Sequence, residues 1–488
     1  MILTSVDKIK FDEGDCACAY STVAQSPGAT HPHLWQQASG LLRQSLGAGH
    51  ELVVVSPQLK GVSVINELAG YMLDAFSFYH LPDEFSLSHF HGLQENDVFP
   101  DVKQLVALNL STSLPAIRAE AQSSEPNSLT SWFHLTDRCN LRCSYCYLPH
   151  VREDMSSEIG YAAIDAIFRS ALVNGFKQVK LKYAGGEPLL RYPLILELHD
   201  YAKSLADSNG LILEEVVLSN GTLLTGEMAQ TFKTLGIRLM ISLDGYGDYH
   251  DSHRLYASGR GSFKDVAEAV GLALANGLIP NISVTVSSRT AEGLPQIMAW
   301  ILKRDLPFSL NFYRKNEFSA SREDMELDDE KIINGMLMAF RVIEENLPKR
   351  SFLGGIMDRA NLSSPHTHTC GVGQNYLVFD QNGQVAKCQM QIRKPITDVH
   401  LEDPLAVIRA DEVGIQNISV EEKDGCKTCE WKYWCTGGCP LETHRVTGCY
   451  DVKSPNCNIY KVLFPEALRL EGLRLLKYAD DPEVVMKI

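Results

Sequence analysis

"TDRCNLRCSYCYLPH", Thr136 to His150, carries Cys139, Cys143 and Cys146 in a C-x3-C-x2-C spacing. Three soft ligands so close together can hold a metal, but thiolate cages usually want four donors. The identity of the fourth donor decides the reading. His150 is one answer, giving a zinc site of three thiolates and an imidazole. A [4Fe–4S] cluster on three thiolates is another, and it leaves one iron open to a small chelating molecule.

The flanks of this stretch alternate between strand and helix. "SWFHLTD" reads as a strand that ends at the first cysteine. After it come a helix over 157–175, the strand "QVKLKYA", a helix over 193–210, the strand "EEVVLSN" and a helix over 226–236. The strand "RLMISLD", a helix over 262–277, the strand "NISVTVSS", a helix over 294–305 and the strand "FSLNFY" complete the series. Six strands separated by five helices imply a parallel α/β sheet, a partial (β/α)6 TIM-like barrel. Ligands of such folds gather at the carboxyl ends of the strands, where the cysteine trio lies.

Farther out the character changes. Residues 1–110 read as a separate N-terminal unit, with a strand at "ELVVVSP" and an amphipathic helix at "VSVINELAGYMLDAF". Residues 111–129 read as a linker, rich in Ser, Ala and Pro. The core is assigned to 130–315. A bridge over 316–365 contains one helix at 325–347. A cysteine-rich region covers 366–465, with a short strand at "NYLVFD", and 466–488 is read as a C-terminal helix.

The chain has 488 residues, 45% hydrophobic and 22% charged, and a net charge of −15. It can bury a large core, and its acidity speaks against a nucleic-acid partner. No secretory signal and no apolar membrane span is visible, so a cytoplasmic location is expected, where thiols stay reduced. Thirteen cysteines then point to metal or redox chemistry. Their placement agrees: Cys16 and Cys18 near the start, the trio, none over 147–369, and eight from Cys370 to Cys457. Cys16 and Cys18 read as small residues in a strand, or as helpers in handling a substrate thiol.

The trio, with Tyr145 before its last cysteine, resembles the radical S-adenosylmethionine (radical SAM) enzymes. In that family the fourth ligand is the amino and carboxylate group of S-adenosylmethionine. Later motifs fit the same resemblance. "GGEP" (Gly185, Gly186, Glu187, Pro188) implies contact with the methionine amino group, since glycine admits close backbone and Glu187 can accept from an ammonium. "LSNGT", with Ser219 and Asn220, resembles the ribose-contacting segment. "SLDG", with Ser242 and Asp244, follows the fourth strand, and "HDSHR" brings Arg254 as a partner for the methionine carboxylate. "GRGSF", Gly259 to Phe263, opens the next helix as in this family.

The C-terminal cysteines resemble the SPASM pattern, which carries two auxiliary [4Fe–4S] clusters, although C-x2-C pairs also build zinc ribbons. By resemblance, Cys426, Cys429, Cys435 and Cys457 hold an outer cluster (auxiliary II), and Cys370, Cys388 and Cys439 an inner one (auxiliary I). The inner set lacks a fourth ligand. Candidates are His366, His368, Cys449 or a substrate thiolate. Cys449 otherwise reads as a free buried thiol, and the two histidines as part of a solvated loop.

The resemblance implies an oxidoreductase with S-adenosylmethionine and three [4Fe–4S] clusters, which generates a 5′-deoxyadenosyl radical that abstracts hydrogen from a peptide. It also implies a low-potential electron donor of flavodoxin or ferredoxin type. Residues 1–110 resemble a winged-helix-like element that holds the leader of a ribosomally made precursor peptide as an added strand. The expected reaction is an oxidative crosslink, carbon–carbon, ether or thioether. Formylglycine formation on a sulfatase is the alternative; there an Asp follows the cysteine matching Cys388, where this chain has Gln389. Epimerisation, with Cys449 as hydrogen donor, and a non-catalytic scaffold are further alternatives. The catalytic base is not identifiable.

Overall fold

The computed structural model describes residues 127–487 apart from 320, 321 and 364. Nearer the N-terminus it describes 2–5, 34–37, 41–47, 49–55, 63–67, 69, 70, 73, 81, 82 and 111–113. Cys16 and Cys18 lie outside the described residues.

Six parallel strands form the core: β1 (Ser128–His134), β2 (Gln178–Ala184), β3 (Ile212–Ser219), β4 (Arg238–Ser242), β5 (Asn281–Val286) and β6 (Phe308–Phe312). They hydrogen-bond in chain order, β1 through β6, and all these pairings are parallel. The helices between them are α1 (Ser157–Val173), α2 (Tyr192–Asn209), α3 (Gly226–Leu235), α4 (Phe263–Ala275) and α5 (Leu294–Leu302). Local chemistry sets their ends. Ser156 Oγ accepts from the Ile159 amide at the start of α1, and Thr225 Oγ1 from Met228 at the start of α3. Gly210 and Gly236 close α2 and α3 in the left-handed conformation.

Strand alternation sorts the side chains of β2. Val179, Leu181 and Tyr183 face the helices and join the main core, while Ala184 belongs to a second apolar cluster nearer the cysteines. Every residue of β1 is buried, because both of its edges are paired. The C-terminal region supplies the second neighbour: β7 (Tyr376–Phe379) runs parallel to β1, followed by antiparallel β8 (Gln384–Ala386) and β9 (Thr397–Asp398). The sheet therefore has nine strands where the sequence suggests six. Of the added strands the sequence reading placed β7, at "NYLVFD", but not its pairing with β1; β8 and β9 are too short to be recognised from periodicity.

The bridge helix α6 (Asp329–Glu345) starts at Asp328, whose Oδ1 accepts from the Lys331 amide. A buried carboxylate ties this bridge to the core. Asp358 pairs with Arg314, accepts from the Phe312 amide at the end of β6, and accepts from Tyr460 Oη on α7 (Cys457–Lys477).

Three sequence expectations change. Residues 63–66 of the N-terminal helix reading are a strand, and Ser111–Ser113 of the linker pair with Leu34–Gln37. Beyond α7, Val485–Lys487 form a strand rather than helix. It pairs with Ile2–Ser5 in a five-stranded antiparallel sheet. Partner strands far away in sequence decided all three, which local propensity does not encode. Among the described residues no helix is long and apolar enough to cross a membrane.

Candidate functional site

The trio sits in the loop leaving β1, and its shape is imposed by backbone. The Gly186 amide donates to the Thr136 carbonyl at 2.7 Å, and the Glu187 amide to the Arg138 carbonyl at 2.8 Å. Gly185 has φ +139, and a Cβ on it would collide with the Thr136 carbonyl; one on Gly186 would collide with that of Arg138. These glycines let two loops of the protein touch, a use the sequence reading assigned to ligand approach. Leu141–Cys143 also pairs antiparallel with Arg254–Tyr256, placing Cys143 opposite Arg254.

Glu187 is fully buried. Its Oε1 accepts from the Leu189 amide and from Ser219 Oγ at 2.8 Å, and its Oε2 from the Asn220 amide at 2.8 Å. Burial pushes its pKa up, against hydrogen bonds that favour the anion. Glu187 thus clamps the second motif to the third. Asn220 Nδ2 donates to Asn140 Oδ1 at 3.0 Å and lies 3.7 Å from Cys139 Sγ, while Asn140 Nδ2 donates to Thr222 Oγ1. The sequence reading missed Asn140, although it lies inside the cysteine loop. An amide between two cysteines carries no periodic signal.

Asp244 and Arg254 are a buried pair, Nε to Oδ2 2.7 Å. Asp244 also accepts from Tyr145 Oη and from the Thr285 amide. Burial opposes its charge, but the Arg254 guanidinium outweighs burial and holds the carboxyl below its ordinary pKa. Arg254 was expected to meet a ligand carboxylate. Its Nε and Nη2 donate to Asp244, and its Nη1 lies 3.9 Å from Cys143 Sγ, which sets the guanidinium beside the trio. Ser242 is half-buried at the end of β4, and Pro188 opens a short 3-10 turn after Glu187. His250 and Asp251 bind "GRGSF" from below: His250 Nε2 lies 3.0 Å from Ser262 Oγ, and Asp251 Oδ1 accepts from the Ser262 and Phe263 amides.

The trio fits a thiolate-bound cluster. All three cysteines are free and partly buried. Burial pushes Cys139 up to about 11 and Cys143 up to about 12, so only a bound cation makes such thiolates stable. Donors are aimed at the sulfurs: the Leu141 amide at Cys139, and Arg254 at Cys143.

The C-terminal cysteines form two groups. Cys426, Cys429, Cys435 and Cys457 line one cavity with Trp431, Tyr460 and Phe464. Cys370, Cys388 and Cys439 join an apolar cluster with Trp132, Leu148 and Tyr376, and Cys146 of the trio packs on the same cluster. Among the described residues no three His, Cys, Asp or Glu side chains converge on a single ion position. Lys423, wholly buried, lies between the two groups. Its Nζ donates to the Thr436 carbonyl at 2.8 Å, and burial pulls its pKa down while the nearby thiols of Cys426, Cys370, Cys435 and Cys439 act the other way.

Two expectations about the inner set need correction. Cys449 is exposed rather than a buried thiol, because it follows the Gly448 turn that ends the helix Pro440–Thr447. His366 is buried, not in a solvated loop, its amide held by the Tyr433 carbonyl. His368 is half-buried, and burial, then Lys423, lowers its pKa to about 4.

Residues 133–301 match the family model "Radical SAM superfamily". Over that span the chain is similar to the radical SAM superfamily. The chain is 25% identical over 319 residues to the serine-type anaerobic sulfatase-maturating enzyme of Klebsiella aerogenes, covering 62% of this chain and 77% of that one. An uncharacterized protein of Methanocaldococcus jannaschii is 27% identical over 220 residues, 44% of this chain and 73% of its own. Among solved structures, anSMEcpe with bound AdoMet and the Cp18Cys peptide aligns with a TM-score of 0.58 at 20% identity. That alignment covers 71% of this chain and 98% of anSMEcpe, and it supports the fold. The radical SAM match implies S-adenosylmethionine and a [4Fe–4S] cluster as cofactors.

Proposed function

We propose that this radical SAM enzyme is a peptide maturase that oxidatively crosslinks a ribosomally made precursor peptide. Cys139, Cys143 and Cys146 would hold the radical SAM cluster. Gly185, Gly186, Glu187, Pro188, Ser219, Asn220, Ser242, Asp244 and Arg254 would shape the S-adenosylmethionine site. When bound, these cofactors supply a 5′-deoxyadenosyl radical that removes hydrogen from unactivated carbon. The chain's own part is positioning: Glu187 fixes the second and third motifs, and Asp244 fixes Arg254 and Tyr145 beside the trio.

The observation that carries the reading is the grouping of the C-terminal cysteines. Four thiols ring one cavity, and three more share an apolar cluster with Cys146. Two auxiliary clusters in a SPASM-like region, one beside the radical site, would accept the electron that a substrate radical must lose in forming a new bond. A flavodoxin- or ferredoxin-type donor would supply the reducing electron. Residues 1–110 would hold the leader. In support, Leu41–Gly47 stands at the edge of its sheet among the described residues, the geometry that strand addition uses.

The sulfatase-maturing reading is favoured by the curated relative and by the peptide-bound neighbour. Against it, Gln389 follows Cys388 and accepts from Tyr376 Oη at 3.1 Å; a neutral amide is a poor base. The test is co-expression with the short reading frame beside the gene, followed by peptide mass spectrometry, with and without Cys139, Cys143 and Cys146 changed to Ala. A loss of two hydrogens that requires the trio supports crosslinking. An unchanged mass with one deuterium gained from heavy water means epimerisation. No change of any kind overturns the precursor reading and favours a sulfatase-type substrate.

A further inference from the structure

We propose that Lys423 is a charge-compensating residue shared by the two C-terminal cysteine groups, setting the reduction potential of both. The inference rests on the proposal that these groups hold auxiliary [4Fe–4S] clusters.

The geometry makes Lys423 common to both. The segment Cys435-Thr436-Gly437-Gly438-Cys439 runs from the outer group to the inner one. Lys423 Nζ donates to its Thr436 carbonyl at 2.8 Å. Thr369, next to Cys370, donates to the same carbonyl at 3.1 Å and to that of Gly438 at 2.8 Å. The lysine therefore binds the connecting segment where the chain leading to Cys370 binds it. Gly437 has φ +82, and a Cβ there would lie 2.8 Å from Lys423 Cδ, 3.1 Å from Nζ and 3.5 Å from Cys426 Sγ. A side chain at Gly437 would fill the space bordered by both the Lys423 ammonium and the Cys426 sulfur.

A buried ammonium is costly without a counter-charge. Lys423 is 1% exposed, and the ionisable groups that act on it most strongly are thiols rather than carboxylates. A four-thiolate [4Fe–4S] centre carries net negative charge, which grows by one on reduction. A fixed cation nearby stabilises the reduced form more than the oxidised form, and low local dielectric enlarges the effect. Lys423 would raise both potentials together and so keep electron transfer between the two centres close to balanced.

The test is a potentiometric titration followed by electron paramagnetic resonance. It uses the full chain with Cys139, Cys143 and Cys146 changed to Ala, so that only auxiliary signals remain. If this parent does not hold about eight iron, the two-cluster reading itself fails and the lysine is not in question. With the iron present, Lys423→Met should shift both couples to more negative potential, at least tenfold in the one-electron ratio, or about 59 mV. Lys423→Arg should stay within about threefold of the parent. Couples that do not move, or a shift in one only, overturn the inference. Should Lys423→Met and Lys423→Gln both lose iron, retention by Lys423→Arg upholds the role of charge, and loss by Lys423→Arg overturns it.

Discussion

The trio and the outer cysteine group are built in opposite ways. The trio rests on the sheet: backbone bonds from Gly186 and Glu187 and pairing with Arg254–Tyr256 hold its loop. The outer group rests on turns and two short helices between Asp424 and Cys457, arranged around a buried lysine and the start of α7. The first site is therefore tied to the central sheet, whereas the second rests on short local elements and the end of one long helix.

The severest challenge to this contrast is Gly186→Ala. Its Cβ must displace the Arg138 carbonyl, so S-adenosylmethionine cleavage should fall by about 100-fold or more, with auxiliary iron retained. Equal loss of iron from all sites would erase the distinction. Asp244→Asn comes next. It leaves Arg254 buried beside a neutral partner, at a cost of about 3–5 kcal/mol in denaturant unfolding. On the other side, Cys457→Ala should remove the outer iron and peptide oxidation. Cleavage of S-adenosylmethionine itself should stay within about threefold.

A pH series probes the frame around the trio. Burial lowers His250 to about 3, while unfolded histidine titrates near about 6.5. Between these values the unfolded chain binds the extra proton, so stability is full above about pH 6.5 and falls as pH drops toward 3, by up to about 1.4 kcal/mol per unit. His250→Gln should flatten that slope in thermal unfolding. The smallest effect belongs to Cys449→Ser, where an exposed thiol outside both groups should leave iron content unchanged and stability within about 0.5 kcal/mol.

Much was legible in the sequence. Strand and helix periodicity placed the six core strands within a few residues, since each element carries its own apolar pattern, as in "QVKLKYA" for β2. Cysteine spacing separated the trio from the outer four. Only the tertiary structure decided that β7 pairs with β1, that Val485–Lys487 joins Ile2–Ser5, that Arg254 is taken by Asp244, and that Lys423 sits between two thiol groups. The physical reason is range. Spacing and periodicity record what a residue does with near neighbours in the chain. Strand partners, counter-charges and glycine clearances are contacts between segments tens to hundreds of residues apart, and they exist only once the chain has closed on itself.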